Sequence, residues 1–523
     1  MESAAAAIAT QPVESPERVA ELEDLVAQQR REIHLLREKL HYALHRQFGR
    51  SAERFDAGQS ELFAPSTDED VGSEDEEGTT EVVVRRKKGG RRKAPEDLPR
   101  VRVEHDLAEA DKQCQCGACL ARIGEETSEQ YDVIPPVFRV LEHVRFKYAC
   151  PVCNDHGVTT APKTSPDPLP RHQVSAGLLA WLGTSKYVDG LPLHRVAAIL
   201  GKRFGVNFTS TTLAQWMIKV SEELFAPLLV LLDSYLLQVD YLHADETTVQ
   251  VLDEPERYAW QKSYFWVRVT GAGPPIIRVD YAPSRAGVVA ERLLSGFKGY
   301  LQSDAYSGYN GITARADVTA VGCLAHARRR FDAVLKSVGQ HSKRPEAMLA
   351  REALTYIRRL YQIEKTIKGM PSAERLHRRQ TESQAVLDEF DQWRKRHLER
   401  AVAFGGALAK AFGYLGNQWA SLIRFVEDER LQLDNNRAER HIRPIANGRK
   451  VWLFARSQRG AHASAAWYSI VETAKANGLE PYHYLRWLLT ELPHYQQQGL
   501  ALDALLPWNV MPEQIKAPAQ GWG

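Results

Sequence analysis

The chain has no apolar run long enough to cross a bilayer. Its greasiest stretch, "LFAPLLVLLDSYLLQV" at 224–239, is interrupted by Asp233 and falls short of the roughly 20 apolar residues a spanning helix needs. The first residues also lack the basic start, apolar middle and small-residue cleavage site of a secretion signal, so we expect a soluble cytoplasmic protein with no membrane partner. A Gly-x-x-x-x-Gly-Lys-Ser/Thr loop is missing, which leaves nothing to suggest ATP hydrolysis. Cysteine is scarce, six in 523 residues, and without a secretion signal those few are not expected to form disulfides. Net charge is nearly absent as well, at +2.

What is present is unevenly distributed. Residues 67–81, "TDEDVGSEDEEGTTE", carry eight acids and no base, whereas "RRKKGGRRK" at 85–93 carries seven bases in nine residues. The basic block supplies Arg85, Arg86, Lys87, Lys88, Arg91 and Arg92 and reads as a flexible arm for the DNA backbone, within a charged, disordered linker spanning 51–104. Before it, Leu22, Val26, Gln29, Ile33, Leu36, Leu40 and Ala43 alternate steps of four and three. That is a heptad seam, predicting a coiled-coil helix within 1–50 that joins copies of the chain into a homo-oligomer. Five cysteines crowd into 114–153: Cys114, Cys116 and Cys119 in "CQCGAC", then Cys150 and Cys153 in "CPVC". Closely spaced pairs let two thiolates reach one ion, so four of the five are expected to hold a structural Zn²⁺ within a small module at 105–168.

Residues 169–238 are patterned as helices. A turn at Gly205–Phe208, an N-cap at Thr209 or Ser210 and a following helix carrying Leu213, Trp216, Met217 and Val220 give a helix-turn-helix-like outline. From "YLHADETTVQVL" onward the text becomes β-branched. Three strands in a meander, a helix, a strand, a helix and a strand predict an α/β domain with a mixed sheet over 239–335 and 431–475, interrupted by a basic helical insertion at 336–430. The C-terminal segment is 476–523. The predicted class is therefore multidomain α+β.

Three acids in the α/β region stand out. Asp245 lies within the first strand, Asp304 at the end of a later one, and Glu439 in "DNNRAERHIRPIANGRK" at 434–450, on a short helix that Asp434 would cap and Pro444 would help to end. Singly, each has an ordinary explanation; Glu439, for instance, is spaced to pair with Arg443 along a helix. Convergent carboxylates need a counter-charge, and Mg²⁺ or Mn²⁺ supplies it while leaving room for phosphate. The cations around Glu439, namely Arg437, Arg440, Arg443, Arg449 and Lys450, suit the backbone of double-stranded DNA.

These motifs resemble the transposases of the insertion sequence 66 family. The likeness is carried by "HADETTVQVL", "LQSDAYSGYN", "CLAHARRRF", "NQWASLIRFVEDERLQLDNNRAERHIRPIANGRKVWLFARS" and "ETAKANGLEPYHYLRWLLTELP", together with the order of the modules. The resemblance implies a ribonuclease-H-like catalytic domain with Asp245, Asp304 and Glu439 as its acidic triad. It also implies metal-dependent DNA strand cleavage and transfer, element ends and target DNA as partners, accessory proteins of the same element, and a place on the bacterial nucleoid. His326, in "AHARRR", is a secondary catalytic candidate, with a buried structural histidine as its alternative. Two positions depart from the family pattern: the first knuckle reads Cys-x-Cys-Gly, and Val451 follows Gly-Arg-Lys where asparagine is expected. Competing readings are a non-catalytic, zinc-containing dimeric DNA-binding protein and a metal-dependent nuclease without strand transfer.

Overall fold

The structure is a computed structural model that describes residues 29, 138–149, 158–163 and 165–515. The basic arm and the cysteines Cys114, Cys116, Cys119, Cys150 and Cys153 lie outside the described residues, as does the heptad seam except for Gln29. Residues 145–515, where described, belong to one compact unit.

Strands β1 (Lys147–Ala149) and β2 (Val158–Thr160) pair antiparallel. Helices α1 (Ala176–Tyr187), α2 (Leu193–Phe204), α3 (Ser210–Lys219) and α4 (Ala226–Gln238) follow. The α2–α3 turn forms as the sequence predicts. Gly205 takes the left-handed conformation at φ 69° to close α2, and the Thr209 hydroxyl accepts the Thr212 N–H to open α3. Leu213, Trp216, Met217 and Val220 are buried, while Thr211 and Gln215 face solvent.

The centre is a six-stranded sheet. Strands β3 (Tyr241–Asp253), β4 (Lys262–Thr270) and β5 (Ile277–Ala282) form an antiparallel meander. Helix α5 (Gly287–Leu293) then crosses to β6 (Gly299–Gln302), which lies parallel to β3, with β7 (Val318–Val321) parallel beyond it. The order across the sheet is β5-β4-β3-β6-β7, and a short β8 (Ala455–Ser457) adds to the far end of β3. Gly299, at φ 114°, lets β6 start where a side chain would strike the Asp240 carbonyl.

The β5 edge is closed by α12 (Gln458–Ala476) rather than left open. Ser469 Oγ accepts the Val279 N–H at 2.9 Å and Thr473 Oγ1 the Ile277 N–H at 3.1 Å. Two edge donors that would otherwise template another strand are thereby satisfied. The same helix carries the α1–α4 bundle, with Trp467 Nε1 donating to the Met217 carbonyl. The last long helix, α13 (Pro481–Gln498), packs on α1.

Helix α6 (Leu324–Val338) leads into the helical insertion, made of α7 (Pro345–Ile367), α8 (Ser372–Arg378), α9 (Gln384–Phe404) and α10 (Gly406–Asn417). Phe331, Ile357, Leu360, Phe390 and Phe412 build its core, and truncating one such aromatic costs about 3–5 kcal/mol. Arg379 is buried inside it, forking onto Glu364 at 2.7 Å through both Nε and Nη2.

One expectation is corrected. Glu439 does not sit on a short helix ended by Pro444: α11 runs from Asn436 to Trp452 with Pro444 inside it. Proline removes one amide bond, yet the helix continues for two more turns, anchored by the buried Ile445 and Gly448. Asp434 sits one residue ahead of the capping position, where its carboxylate accepts the Asn436 N–H at 3.1 Å.

Candidate active site

Strand register brings the first two acids side by side. His243 of β3 stands opposite Gln302 of β6 in parallel pairing, so Asp245 and Asp304, each two residues further on, occupy equivalent positions at the carboxyl-terminal end of β6. Glu439 comes from the first turn of α11, which packs across β3. All three acids are half-buried.

Their electrostatics follow from that convergence. Burial, then the charges of Glu246, Asp304 and Glu439, hold the Asp245 carboxyl well above the usual range. Its one hydrogen bond among the described residues is from the Glu246 N–H at 2.8 Å, and no described cation pairs with it. Asp304 accepts the Tyr306 N–H at 3.0 Å and lies 3.8 Å from the Arg285 guanidinium. Glu439 is ion-paired to Arg329 of α6, not to Arg443 one turn along its own helix.

His326 joins this cluster, with its Nδ1 4.0 Å from Glu439 Oε1 and without a hydrogen-bond partner. Burial and the neighbouring Arg329 push its imidazole below the usual range, so it is neutral near pH 7 and able to accept a proton. Ligand atoms of Cys323, His326 and Glu439 all lie within 4.8 Å of one another. Burial pushes the Cys323 thiol up to about 12, which leaves the carboxylates as the ready donors. Asp245 and Asp304 fall outside that close group; among the described residues, Asp245 meets Asp304 and Glu439 through charge.

The cations of α11 divide into two sets. Arg440, Arg443 and Lys450 are exposed and recur at helical spacing with Asn447, forming one outward stripe beside Glu439. Arg437 and Arg449 turn inward. Arg449 donates to the Thr248 carbonyl and hydroxyl, and Arg437 reaches the Gly271 carbonyl at 3.4 Å.

Several residues escaped the sequence reading. Glu246, next to Asp245, is sealed in by Arg285 and by Tyr309, whose hydroxyl donates at 2.8 Å. Arg328, Arg329 and Arg330 are all exposed on α6; Arg329 pairs with Glu439, while Arg328 and Arg330 lie over the rings of Tyr361 and Tyr414. Their run in "AHARRR" was a visible signal. That Glu246 is paired with Arg285 and Tyr309 while Asp245 meets no described cation could be told only from the fold.

Comparison with known proteins agrees along the chain. Residues 171–463 match the family model described as Transposase IS66 family, and residues 469–508 the IS66 C-terminal element. Residues 111–154 match the zinc-finger binding domain of transposase IS66, and residues 35–103 the Transposase C of IS166 homeodomain. Among curated relatives, three proteins of Sinorhizobium fredii (strain NBRC 101917 / NGR234), each called an uncharacterized protein, are similar over most of their length. The protein y4hP is 30% identical over 91% of this chain and 87% of its own. For y4jD the identity is 31%, over 80% and 82%. For y4qI it is 33%, over 79% and 76%. With the acids, the flanking cations and a model match over more than half its length, the chain belongs to the IS66 transposase family.

Proposed function

We propose that this protein cuts DNA at the ends of an insertion sequence and joins those ends to target DNA, with Asp245, Asp304 and Glu439 as its catalytic acids. The observation that carries the reading is the surplus of carboxylate at Asp245, near Asp304 and Glu439 and with no described cation paired to it. The order β5-β4-β3-β6-β7, antiparallel on one side and parallel on the other, supports a ribonuclease-H-like catalytic core. A binding protein gains nothing from acids turned toward phosphate.

Bound Mg²⁺ or Mn²⁺ would activate the attacking oxygen and stabilise the leaving one. The protein's own groups do the rest. Arg440, Arg443 and Lys450 hold backbone phosphates along about 15 Å of helix, and Arg328 and Arg330 approach from α6. His326 orients or deprotonates the attacking hydroxyl. The basic arm with Arg85, Arg86, Lys87, Lys88, Arg91 and Arg92 adds affinity without sequence reading. Four of Cys114, Cys116, Cys119, Cys150 and Cys153 hold a structural Zn²⁺, and the heptad helix joins copies into the oligomer that pairs two element ends.

Incubating the full chain with labelled DNA carrying the element's own ends, Mg²⁺ and the element's accessory proteins tests this. Wild type should cut and join, while Glu439→Gln binds equally well and does neither. Cutting without joining would convert the reading to a nuclease; binding without either would remove the catalytic role.

A further inference from the structure

We infer that Asn435 is the positioning residue that sets Glu439 against Asp245, an inference that rests on the functional reading above. Asn435 is fully buried, unlike its exposed neighbour Asn436, and all of its polar groups are spent on residues around the site. Its Nδ2 donates to the Ala244 carbonyl at 2.9 Å, directly before Asp245. Its Oδ1 bonds His243 Nδ1 at 2.9 Å, two residues before Asp245. Its backbone N–H donates to Cys323 Sγ at 3.1 Å, where α6 begins the turn that presents His326 and Arg329. Its carbonyl accepts the Glu439 N–H at 3.1 Å. One residue thus ties β3, α6 and α11 together within a turn of all the groups that meet at the site.

The chemistry allows only one arrangement. The Ala244 carbonyl can only accept, so the amide must turn its NH₂ to it. Oδ1 then faces His243, which must carry its proton on Nδ1. A flipped amide would oppose oxygen to oxygen on one side. The third acid is tied in next door, since Gln302, two residues before Asp304, donates to the Gln432 carbonyl at 2.8 Å. No other amino acid supplies a donor and an acceptor at this length. Aspartate would turn a carboxylate oxygen on the Ala244 carbonyl, and glutamine is one methylene too long for a site with no exposure.

The test is Mn²⁺ binding to the full chain, read from free Mn²⁺ by electron paramagnetic resonance, for wild type, Glu439→Gln, Asn435→Ala and Asn435→Ser. Cleavage of end DNA is followed over a range of Mg²⁺ concentrations. Losing an outer group that orients metal ligands typically weakens metal by about 10–100-fold. Asn435→Ala should weaken the Glu439-dependent Mn²⁺ by about tenfold or more and raise the Mg²⁺ needed for half-maximal cleavage in step, with DNA affinity unchanged. Asn435→Ser, whose hydroxyl stops one bond short of both partners, should weaken Mn²⁺ and raise the Mg²⁺ requirement as Asn435→Ala does. If Asn435→Ala leaves metal affinity and Mg²⁺ dependence at wild-type values while Glu439→Gln weakens binding, the positioning role is wrong and the site reading stands. If Glu439→Gln itself binds Mn²⁺ as wild type does, the site reading fails first. Should both Asn435 variants unfold, Asn435 is a folding residue and the inference is overturned.

Discussion

Two clusters of charge flank the same sheet, and they are built on opposite principles. On one side Arg268 and Arg278 interlock with Asp233 and Asp280. Arg268 Nη2 lies 2.6 Å from Asp233 and 2.7 Å from Asp280, while Arg278 Nη2 lies 3.1 Å from each. Two cations meet two anions, and the balance shows in the acid. Burial raises the Asp280 carboxyl, but Arg278 and Arg268 more than offset it, and it ends below the usual range. On the other side Asp245, Glu246, Asp304 and Glu439 share Arg285 and Arg329. Arg285 is committed to Glu246, Arg329 is half in solvent, and Asp245 ends well above the usual range. This fold neutralises buried acids where structure is the only need. Asp245, left without a cation partner among the described residues, is the acid proposed above to take a divalent ion.

The contrast can be broken by substitution, and the largest expected effect is catalytic. Asp245→Asn should abolish strand cleavage, by at least about a thousandfold, because a ligand and its charge are both lost. The same change should raise the metal-free unfolding temperature at neutral pH. A carboxyl whose folded pKa lies above its unfolded value, near 3.8, costs stability as pH rises from that value through the folded pKa. Wild type should therefore weaken relative to Asp245→Asn over that window when melting is followed by circular dichroism; parallel pH profiles would show that the acid is not strained.

Asp280→Asn should do the reverse. Breaking a buried pair leaves arginine uncompensated and costs about 3–5 kcal/mol in urea unfolding. Because its folded pKa is lowered, the stability Asp280 contributes is present above its unfolded value and lost as pH falls through the folded one. Mg²⁺ should leave this loss untouched.

Smaller effects separate the outward cations of α11 from the inward ones. Replacing Arg440, Arg443 or Lys450 by Gln should each reduce the salt dependence of DNA binding by about one in log–log slope and leave folding alone. Arg449→Gln should instead lower stability, through its lost bonds to Thr248, and keep the slope. Equal slopes for all four would erase the distinction. Smallest of all, Arg329→Ala should change stability by less than about 1 kcal/mol, since its pair with Glu439 is open to solvent. Mn²⁺ affinity should rise as a competitor leaves Glu439, which titration of free Mn²⁺ would detect.

Much of this was legible in the sequence because it is local. The Gly205 turn and the Thr209 cap are written in residues whose backbone preferences are strong, and the alternation in "TTVQVL" announces β3. Asp245 and Asp304 could be picked out because small or polar residues lie beside them, and Glu439 because it stands among cations. The length of α11 could not be read, since Pro444 is a stop signal that only packing around Ile445 and Gly448 overrides. Nor could the sorting of Arg437 and Arg449 from Arg440 and Arg443, which depends on which face of the helix meets β3. Asn435 and Asn436 are identical letters side by side, and tertiary contact alone distinguishes the buried hub from the exposed surface residue.

The most direct measurement is the thermal unfolding midpoint of the full chain at neutral pH with and without millimolar Mg²⁺, for wild type, Asp245→Asn and Asp280→Asn. If the uncompensated acids bind the cation, saturation at about 100 times the dissociation constant stabilises wild type by about 2.7 kcal/mol. That rise is expected in wild type and in Asp280→Asn, and its loss in Asp245→Asn. A midpoint indifferent to Mg²⁺ in wild type, or an equal rise in Asp245→Asn, would contradict it.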